Sequence, residues 1–192
     1  MAQRAVHADW HNAPVPSFGD MSARLLIVGL APGLKGANRT GRPFTGDYAG
    51  DLLYATLKKF GFARGEYDQR KDDGLTLIDC RISNAVRCVP PENKPLPEEV
   101  TSCRQFLIAE IAAMPNLQAI LALGQISHGA VLTALGQRKS AFAFKHAAMH
   151  PLPDDRLLAD SYHCSRYNTN TGRLTTEMFE TVFKELRKTL DR

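Results

Sequence analysis

Four residues of this sequence could together handle a flat ring that carries hydrogen-bonding groups on its edge. Phe44 offers a ring face for stacking, and the amide of Asn84 pairs a donor with an acceptor, as reading a Watson–Crick edge requires. His163 could hydrogen-bond to a carbonyl oxygen, and the carboxylate of Asp47 could position or activate a water molecule. Each also has a plainer explanation: core packing for Phe44, a turn for Asn84, a structural role for His163 and a helix cap for Asp47. No single residue assigns a chemistry.

Phe44 and Asp47 belong to a glycine-rich stretch, Arg24–Gly50, that the pattern around it favours as a ligand-binding edge. Leu25–Gly29 is apolar and ends in glycine, which predicts a buried parallel strand that opens into a loop. Ligands bind at that edge of an open α/β sheet, and glycines let the backbone approach them closely. The spacing matches neither GxGxxG nor GxxxxGK[ST], and glycine richness alone is also compatible with a tight connection.

The remaining chain alternates strand and helix patterns, which predicts a parallel sheet with helices on both faces. We expect an α/β fold, a three-layer α/β/α sandwich with a central four-stranded, mainly parallel sheet, in one domain spanning residues 1–192. Further strands are predicted over Leu75–Val86, Asn116–Gly124 and Leu157–His163, and helices after Gly50 and over Pro97–Met114, Gln125–Leu135 and Thr175–Leu190. Residues 1–20, Arg64–Gly74 and Gln137–Pro153 read as irregular. Because Phe44, Asn84 and His163 follow or end three of these strands, they should meet at one sheet edge.

Composition restricts the function classes only coarsely. The 192 residues carry a formal net charge of +4, which is compatible with a polyanionic partner but too modest to establish one. No apolar run approaches the ~20 residues that cross a bilayer, and the amino terminus has no signal-peptide pattern. We therefore expect a cytoplasmic monomer without a membrane partner.

The segments GLAP, GANRTGR and FTGD of the glycine-rich stretch resemble the first motif of the uracil-DNA glycosylase superfamily, in its family 5 form. Other branches have a polar residue where this chain has Leu30, and family 5 resembles a rearrangement that moves the acidic residue to Asp47. The resemblance covers almost the whole chain except its amino terminus. It implies a DNA base-excision repair glycosylase that hydrolyses the N-glycosidic bond of uracil, and of other deaminated bases such as hypoxanthine and xanthine.

The resemblance also implies roles for the four candidate residues. Phe44 matches the stacking position, Asn84 the position that reads the base, and His163 the position that stabilises the leaving group. Asp47 would position the attacking water and stabilise the positive charge on the sugar. Backbone groups would line the pocket at Gly29, Leu30 and Ala31.

Binding to uracil-containing or deaminated DNA would need further contacts. The loop from Cys164 to Gly172 would enter the minor groove and support the displaced strand. DNA contacts are predicted for Arg39, Arg42, Lys94, Arg166, Tyr167, Asn168 and Arg173. For any one of the phosphate contacts, an ordinary solvated surface residue is the alternative.

Two cysteines match positions that hold a four-iron cluster (4Fe-4S) in families 4 and 5. Cys88 and Cys103 match the second pair of ligands, whereas the first pair, a CxxC near the amino terminus, does not occur in this sequence. Cys80 and Cys164 are poor substitutes, because one lies in a predicted strand and the other beside His163. Either the numbering begins at an internal methionine or the ligands have been lost, so the iron-sulfur cluster is an expectation with an incomplete ligand set.

Two other function classes stay open on the sequence. A nucleic-acid binding module could recognise damaged bases without cutting them, and a small-molecule enzyme could bind nucleotides at the same loop. His146 and His150 are four residues apart, but Pro151 follows and no HExxH glutamate lies between them, so this pair does not predict a metal site.

Overall fold

A five-stranded sheet runs through the centre of the molecule in the computed structural model, which describes residues 7–191. Its strands are β1 Leu25–Gly29, β4 Cys80–Asn84, β5 Ala119–Leu123, β6 Met149–Pro151 and β7 Leu157–Ser161. Their order in the sheet is β4-β1-β5-β7-β6, and all neighbours are parallel except the edge pair β6 and β7. A separate antiparallel pair joins β2 Ala63–Arg64 to β3 Thr76–Leu77. The α/β class is confirmed, and the predicted strand count of four is corrected to five.

Helices cover both faces of this sheet. They are α1 Ala37–Thr40, α2 Tyr48–Lys59, α3 Pro97–Ala113, α4 Gln125–Ala134, α5 Arg166–Asn170 and α6 Thr176–Leu190. Alternate residues of β1 face opposite sides, so Ile27 packs with α2 and α6 in one apolar cluster while Val28 packs with α3 and α4 in the other. No helix within residues 7–191 is long and apolar enough to cross a membrane.

The structure differs from the predicted boundaries where tertiary contacts decide. The predicted strand Leu75–Val86 is split between β3 and β4, because Asp79 adopts a φ of 52° and accepts a hydrogen bond from the backbone N–H of Arg24 at 2.8 Å. The segment Gln137–Pro153 is not wholly irregular, since it contains β6. The predicted strand Leu157–His163 ends at Ser161, which places His163 in the loop beyond β7.

The strand register brings the candidate residues to one edge. Gly29 pairs with Asn84 across β1 and β4, and Leu123 pairs with Ser161 across β5 and β7. These pairs end their strands, so the loops that follow all leave from the carboxyl edge of the sheet. This is the edge where the candidate site lies.

Candidate active site

Phe44 and Asn84 lie together over the backbone of Gly29. A Cβ atom placed on Gly29 would come within 2.4 Å of the Asn84 Oδ1 and 2.5 Å of the Phe44 Cζ. Both side chains are mostly buried, with 7% of Phe44 and 6% of Asn84 exposed. Glycine at position 29 therefore leaves room for both the ring and the amide to lie against its backbone.

The Asn84 Oδ1 is buried and has no hydrogen-bond partner among the described residues. Buried polar atoms are nearly always paired, because an unpaired acceptor loses its bonds to water without replacement, at a cost of about 1–3 kcal/mol. An unpaired acceptor beside an aromatic ring is expected in a binding site whose ligand supplies the missing hydrogen-bond donor.

The backbone of Phe44 is held in a conformation that aromatic residues rarely adopt. Its φ is 52°, and its carbonyl oxygen accepts a hydrogen bond from the Tyr67 hydroxyl at 3.1 Å. Gly50 lies directly beneath, since a Cβ there would be only 1.9 Å from that carbonyl oxygen. Tyr54 donates to the carbonyl oxygen of Pro43 at 2.6 Å and fixes the preceding residue. Backbone strain of this kind concentrates at functional sites, where the surrounding structure enforces it.

His163 connects this pair to an open cleft. Its ring centroid lies 5.8 Å from that of Phe44, with 28° between the ring planes. Burial lowers the pKa of His163 to about 4, so its imidazole is neutral at neutral pH and can donate one hydrogen bond. Its carbonyl oxygen accepts a hydrogen bond from the Asn168 side chain at 2.8 Å, which holds the loop in place.

Asp47 is both a helix cap and a half-buried carboxylate. Its Oδ1 accepts a hydrogen bond from the backbone N–H of Gly50 at 3.3 Å at the start of α2. Its Oδ2 lies against two glycines, since a Cβ would be 2.3 Å away on Gly36 and 3.0 Å away on Gly33. Burial raises the pKa of Asp47, and the bonds from backbone N–H groups oppose this shift only in part. The helix-cap alternative is therefore correct, but it does not explain the burial.

A cleft of about 760 Å³ has Asp47 and His163 on its walls, with Leu30 and Ala31. This is within the range of small-molecule sites. Phe44 and Asn84 do not line it; they lie next to it, where the Phe44 ring faces the His163 ring. The structure thus brings Phe44, Asn84, His163 and Asp47 into one region.

The DNA contact predicted for Arg42 is wrong, because this residue is buried. Only 4% of the residue is exposed, and its guanidinium forms a two-bond ion pair with Asp73 at 2.8 and 2.7 Å. Its Nε donates to the Thr45 hydroxyl at 2.8 Å. A buried guanidinium that is already bonded cannot reach a phosphate, so Arg42 instead fixes the loop that carries Phe44.

The other predicted DNA contacts differ in exposure. Arg166 is exposed on the cleft wall and lies over the Tyr48 ring at 5.3 Å, and Tyr167 is 72% exposed. The predicted loop over 164–172 contains the short helix α5, and the Asn168 amide in it is already bonded to His163, which argues against a DNA contact. The remaining predicted DNA contacts are exposed at other places on the surface; they are Arg39, Lys94 and Arg173.

Sequence reasoning missed the start of α4, which forms another part of the cleft wall. Gln125, Ile126 and Ser127 all line the cleft, and the fully buried Ser127 Oγ has no hydrogen-bond partner among the described residues. A signal was present, because these residues directly follow the predicted buried strand Asn116–Gly124. Lys145 was missed too; it lines a smaller adjoining cleft of about 400 Å³ together with Arg173 and His163.

The cysteines do not complete a four-iron cluster site. Cys88 is exposed and Cys103 half-buried, and burial, with a smaller contribution from Cys103, raises the pKa of Cys88. Cys80 and Cys164 are buried in the apolar cluster on the α2 and α6 face of the sheet. A four-iron cluster is held by four ligands, and the 192 residues offer two at this place.

Comparison with known proteins identifies the class. Residues 16–187 match the family model for the uracil DNA glycosylase superfamily, so the chain belongs to this superfamily. Among its relatives is a type-5 uracil-DNA glycosylase of Thermus thermophilus, 48% identical over 175 residues, which are 91% of this chain and 80% of the relative. A type-5 uracil-DNA glycosylase of Pyrobaculum aerophilum is 42% identical over 89% of this chain and 74% of its own. A type-4 uracil-DNA glycosylase of the same organism is 38% identical over 65% of this chain and 56% of its own.

Proposed function

We propose that this chain is a type-5 uracil-DNA glycosylase, a monofunctional hydrolase of base-excision repair that cleaves the N-glycosidic bond of uracil in DNA. The relatives named above support the substrate. The observation that carries the site is the unpaired, buried Asn84 Oδ1 beside Phe44. Uracil carries an N3–H donor next to its O4 acceptor, and an amide offers the complementary acceptor and donor.

The enzyme cannot reach this bond while the base is stacked in a duplex. The nucleotide must be turned out into the site, which costs a few kcal/mol for unstacking and unpairing. Stacking on Phe44 and hydrogen bonds to Asn84 would offset part of that cost. Because both side chains lie beside the open cleft rather than on its walls, the everted base would enter past His163.

Cleavage breaks the bond between C1′ of the sugar and N1 of uracil, and the electron pair leaves with the base. Positive charge develops on the sugar and negative charge on the base oxygens. Neutral His163 would donate its N–H to the uracil O2, where the bond strengthens as the charge develops. His163 is suited to this because its low pKa keeps it an uncharged donor.

Asp47 would act on the sugar side. As a carboxylate it would orient the attacking water, accept its proton as the oxygen bonds to C1′, and stabilise the sugar cation. Its half-buried position on the cleft wall supports this role, because the field of a carboxylate is strongest where water is largely excluded.

The same amide would accept other deaminated bases. Hypoxanthine and xanthine both carry an N1–H next to an O6 acceptor, which repeats the pattern of uracil N3–H and O4. We therefore propose that the enzyme also releases these purines. The cleft of about 760 Å³ beside Phe44 and Asn84 supports this extension, since the second ring of a purine would extend into it.

DNA would lie across the face that carries the cleft. Arg39, Lys94, Arg166 and Arg173 would contact phosphates, and Tyr167 on α5 would enter the minor groove. We also propose that the protein acts as a monomer in the cytoplasm. Support comes from the four candidate residues lying in one chain and from four unpaired cysteines, which suit a reducing compartment.

A gel assay tests the proposal. Duplex oligonucleotides that each carry a single uracil, hypoxanthine or xanthine are incubated with the enzyme and treated with alkali, which cuts at abasic sites. We expect alkali-dependent cleavage at each modified base and none at thymine. Tight binding without an abasic product would favour the binding module instead, and stabilisation by free nucleotides but not oligonucleotides would favour the small-molecule enzyme. Iron analysis of the same sample tests the iron-sulfur cluster, for which Cys88 and Cys103 are the proposed ligands from this sequence.

A further inference from the structure

Two histidines and one carboxylate form a cluster outside the candidate active site. His128 lies on α4, His150 on β6 and Asp160 on β7, and their donor atoms all lie within 4.8 Å of one another. The His128 Nδ1 is 2.7 Å from the Asp160 Oδ1, and the His150 Nε2 is 3.0 Å from the Asp160 Oδ2. Asp160 is fully buried and 4% of His128 is exposed. None of the chemistry proposed above uses this cluster.

The hydrogen bonds of His128 restrict what can lie between it and Asp160. The His128 Nε2 is 2.9 Å from the carbonyl oxygen of Phe142, which can only accept, so this nitrogen carries a hydrogen. In a neutral ring the Nδ1 then presents a lone pair to a carboxylate oxygen only 2.7 Å away. Two acceptors do not lie this close without a proton between them, so a metal ion that bound both atoms would take the place of that proton.

We propose that His128, His150 and Asp160 form a zinc site. Two imidazoles and one carboxylate make a three-ligand set that leaves one position for water, as in many zinc sites of proteins. Metal-bound histidines usually donate their second N–H to a backbone carbonyl, as His128 does to Phe142. Ligands about 2.0–2.2 Å from zinc lie roughly 3.4 Å from one another, so small movements of the rings would admit the ion.

The cluster adjoins an open cleft through His128. His128 and Phe142 line a cleft of about 660 Å³, which would provide an entry path and room for a water ligand. An ion bound there would join α4, β6 and β7. Asp160, on β7, is three positions before His163 in the chain. The zinc site would therefore stabilise the strand that leads to the proposed leaving-group residue.

A proton competes with the metal for the same place. The charged groups that face His128 are Asp160, which attracts either cation, and Lys139, which repels it.

The test uses a variant in which Cys88→Ser and Cys103→Ser remove the two accessible thiols, which could bind zinc themselves. Protein dialysed against a chelator is titrated with zinc chloride, and bound zinc and Tm are measured. We expect one zinc per chain and, at free zinc a hundredfold above Kd, a rise in Tm of about 5–10 °C. Cobalt in place of zinc should give a visible spectrum typical of nitrogen and oxygen ligands, without thiolate bands.

Variants assign the ligands. His150→Gln and Asp160→Asn in the same background should each remove the rise in Tm, whereas His146→Gln, a half-buried histidine of the same segment, should keep it. Absence of zinc-dependent stabilisation, or stabilisation that His150→Gln leaves intact, would overturn the proposal and leave a protonated hydrogen-bonded network. If Asp160→Asn does not fold, His150→Gln decides, because its side chain is only partly buried.

Discussion

Replacement of Asp47 separates its role as a helix cap from its proposed role in catalysis. Asp47→Ala removes the acceptor for the Gly50 N–H, and loss of such a cap costs about 1 kcal/mol. In a chain of this size that lowers Tm by about 2–4 °C. Loss of a positioned general base costs a factor of about 10²–10⁴ in rate. We therefore expect a small loss of stability and a large loss of uracil release.

Asp47→Asn makes the same test without loss of the cap. Asparagine is as good a cap as aspartate, and the substitution also removes a carboxylate whose raised pKa shows that burial disfavours its charge. Its Tm should equal or exceed that of the wild type, while single-turnover uracil release falls about 10²–10⁴-fold. In the wild type, the rate of uracil release should fall as the pH is lowered, because Asp47 becomes protonated. The midpoint of this fall should lie above the ordinary pKa of aspartate, and the variant should show no such fall.

Thr175→Ala is the matched control. Thr175 caps α6, where its hydroxyl accepts a hydrogen bond from the Met178 N–H at 3.2 Å, and it is not among the residues of the cleft. It should lower Tm by about as much as Asp47→Ala and leave the rate unchanged. The reasoning would be refuted by an Asp47→Asn variant that releases uracil at nearly the wild-type rate, or by a Thr175→Ala variant as slow as Asp47→Ala.

Three further changes test the surroundings of the site. Gly29→Ala should abolish uracil release in the gel assay, because the new methyl would meet the Asn84 Oδ1 at 2.4 Å. Arg42→Gln should lower the free energy of unfolding by about 3–5 kcal/mol in urea titrations, because it leaves the buried Asp73 carboxylate without its charged partner. His163 binds its proton more weakly when folded, so unfolding takes up protons between about pH 6.5 and pH 4 and stability falls as pH drops through this window. Between pH 7 and pH 5 the loss should be about 1–2 kcal/mol, and His163→Gln should show a smaller one.

Each of these changes has a control of the same type. Gly129→Ala meets only the flexible Lys139 side chain, at 3.3 Å, and should retain activity. Arg39→Gln alters an exposed arginine and should leave the free energy of unfolding within about 0.5 kcal/mol. His11→Gln, at an exposed histidine, should keep the full pH dependence. An equal effect in the test variant and its control would contradict the corresponding argument.

The sequence predicted the elements whose pattern is local. The runs at Leu25–Gly29 and Ala119–Leu123 are apolar throughout because parallel strands are buried on both faces, and the structure has strands there. The edge strand Met149–Pro151 was missed, since three residues carry no periodicity and their pairing with β7 is a tertiary contact. The left-handed Asp79 was missed because Arg24, which directly precedes β1, holds it through its backbone N–H and its guanidinium.

For the site, the order of strands in the sequence indicated which residues lie close together. It did not indicate which side chains are exposed and which are already paired with another residue. Phe44, Asn84 and His163 could be placed at one edge because each belongs to a segment that ends a strand. Arg39 and Arg42 look alike in the sequence, and only the fold shows that Asp73 buries one of them. The contact of His128 with Asp160 is likewise invisible in the sequence, since 32 positions separate the two residues.

The central claim is that Phe44, Asn84 and His163 surround a single everted base. The most direct test is an NMR titration of the isotope-labelled Asp47→Asn variant, which should bind substrate without cleaving it, with a duplex that carries one uracil. We expect the Asn84 side-chain amide and the His163 and Phe44 ring signals to shift together, at one saturating concentration, and a thymine duplex to leave them unchanged. Saturation by the uracil duplex without a shift at Asn84, or equal shifts with thymine, would contradict it.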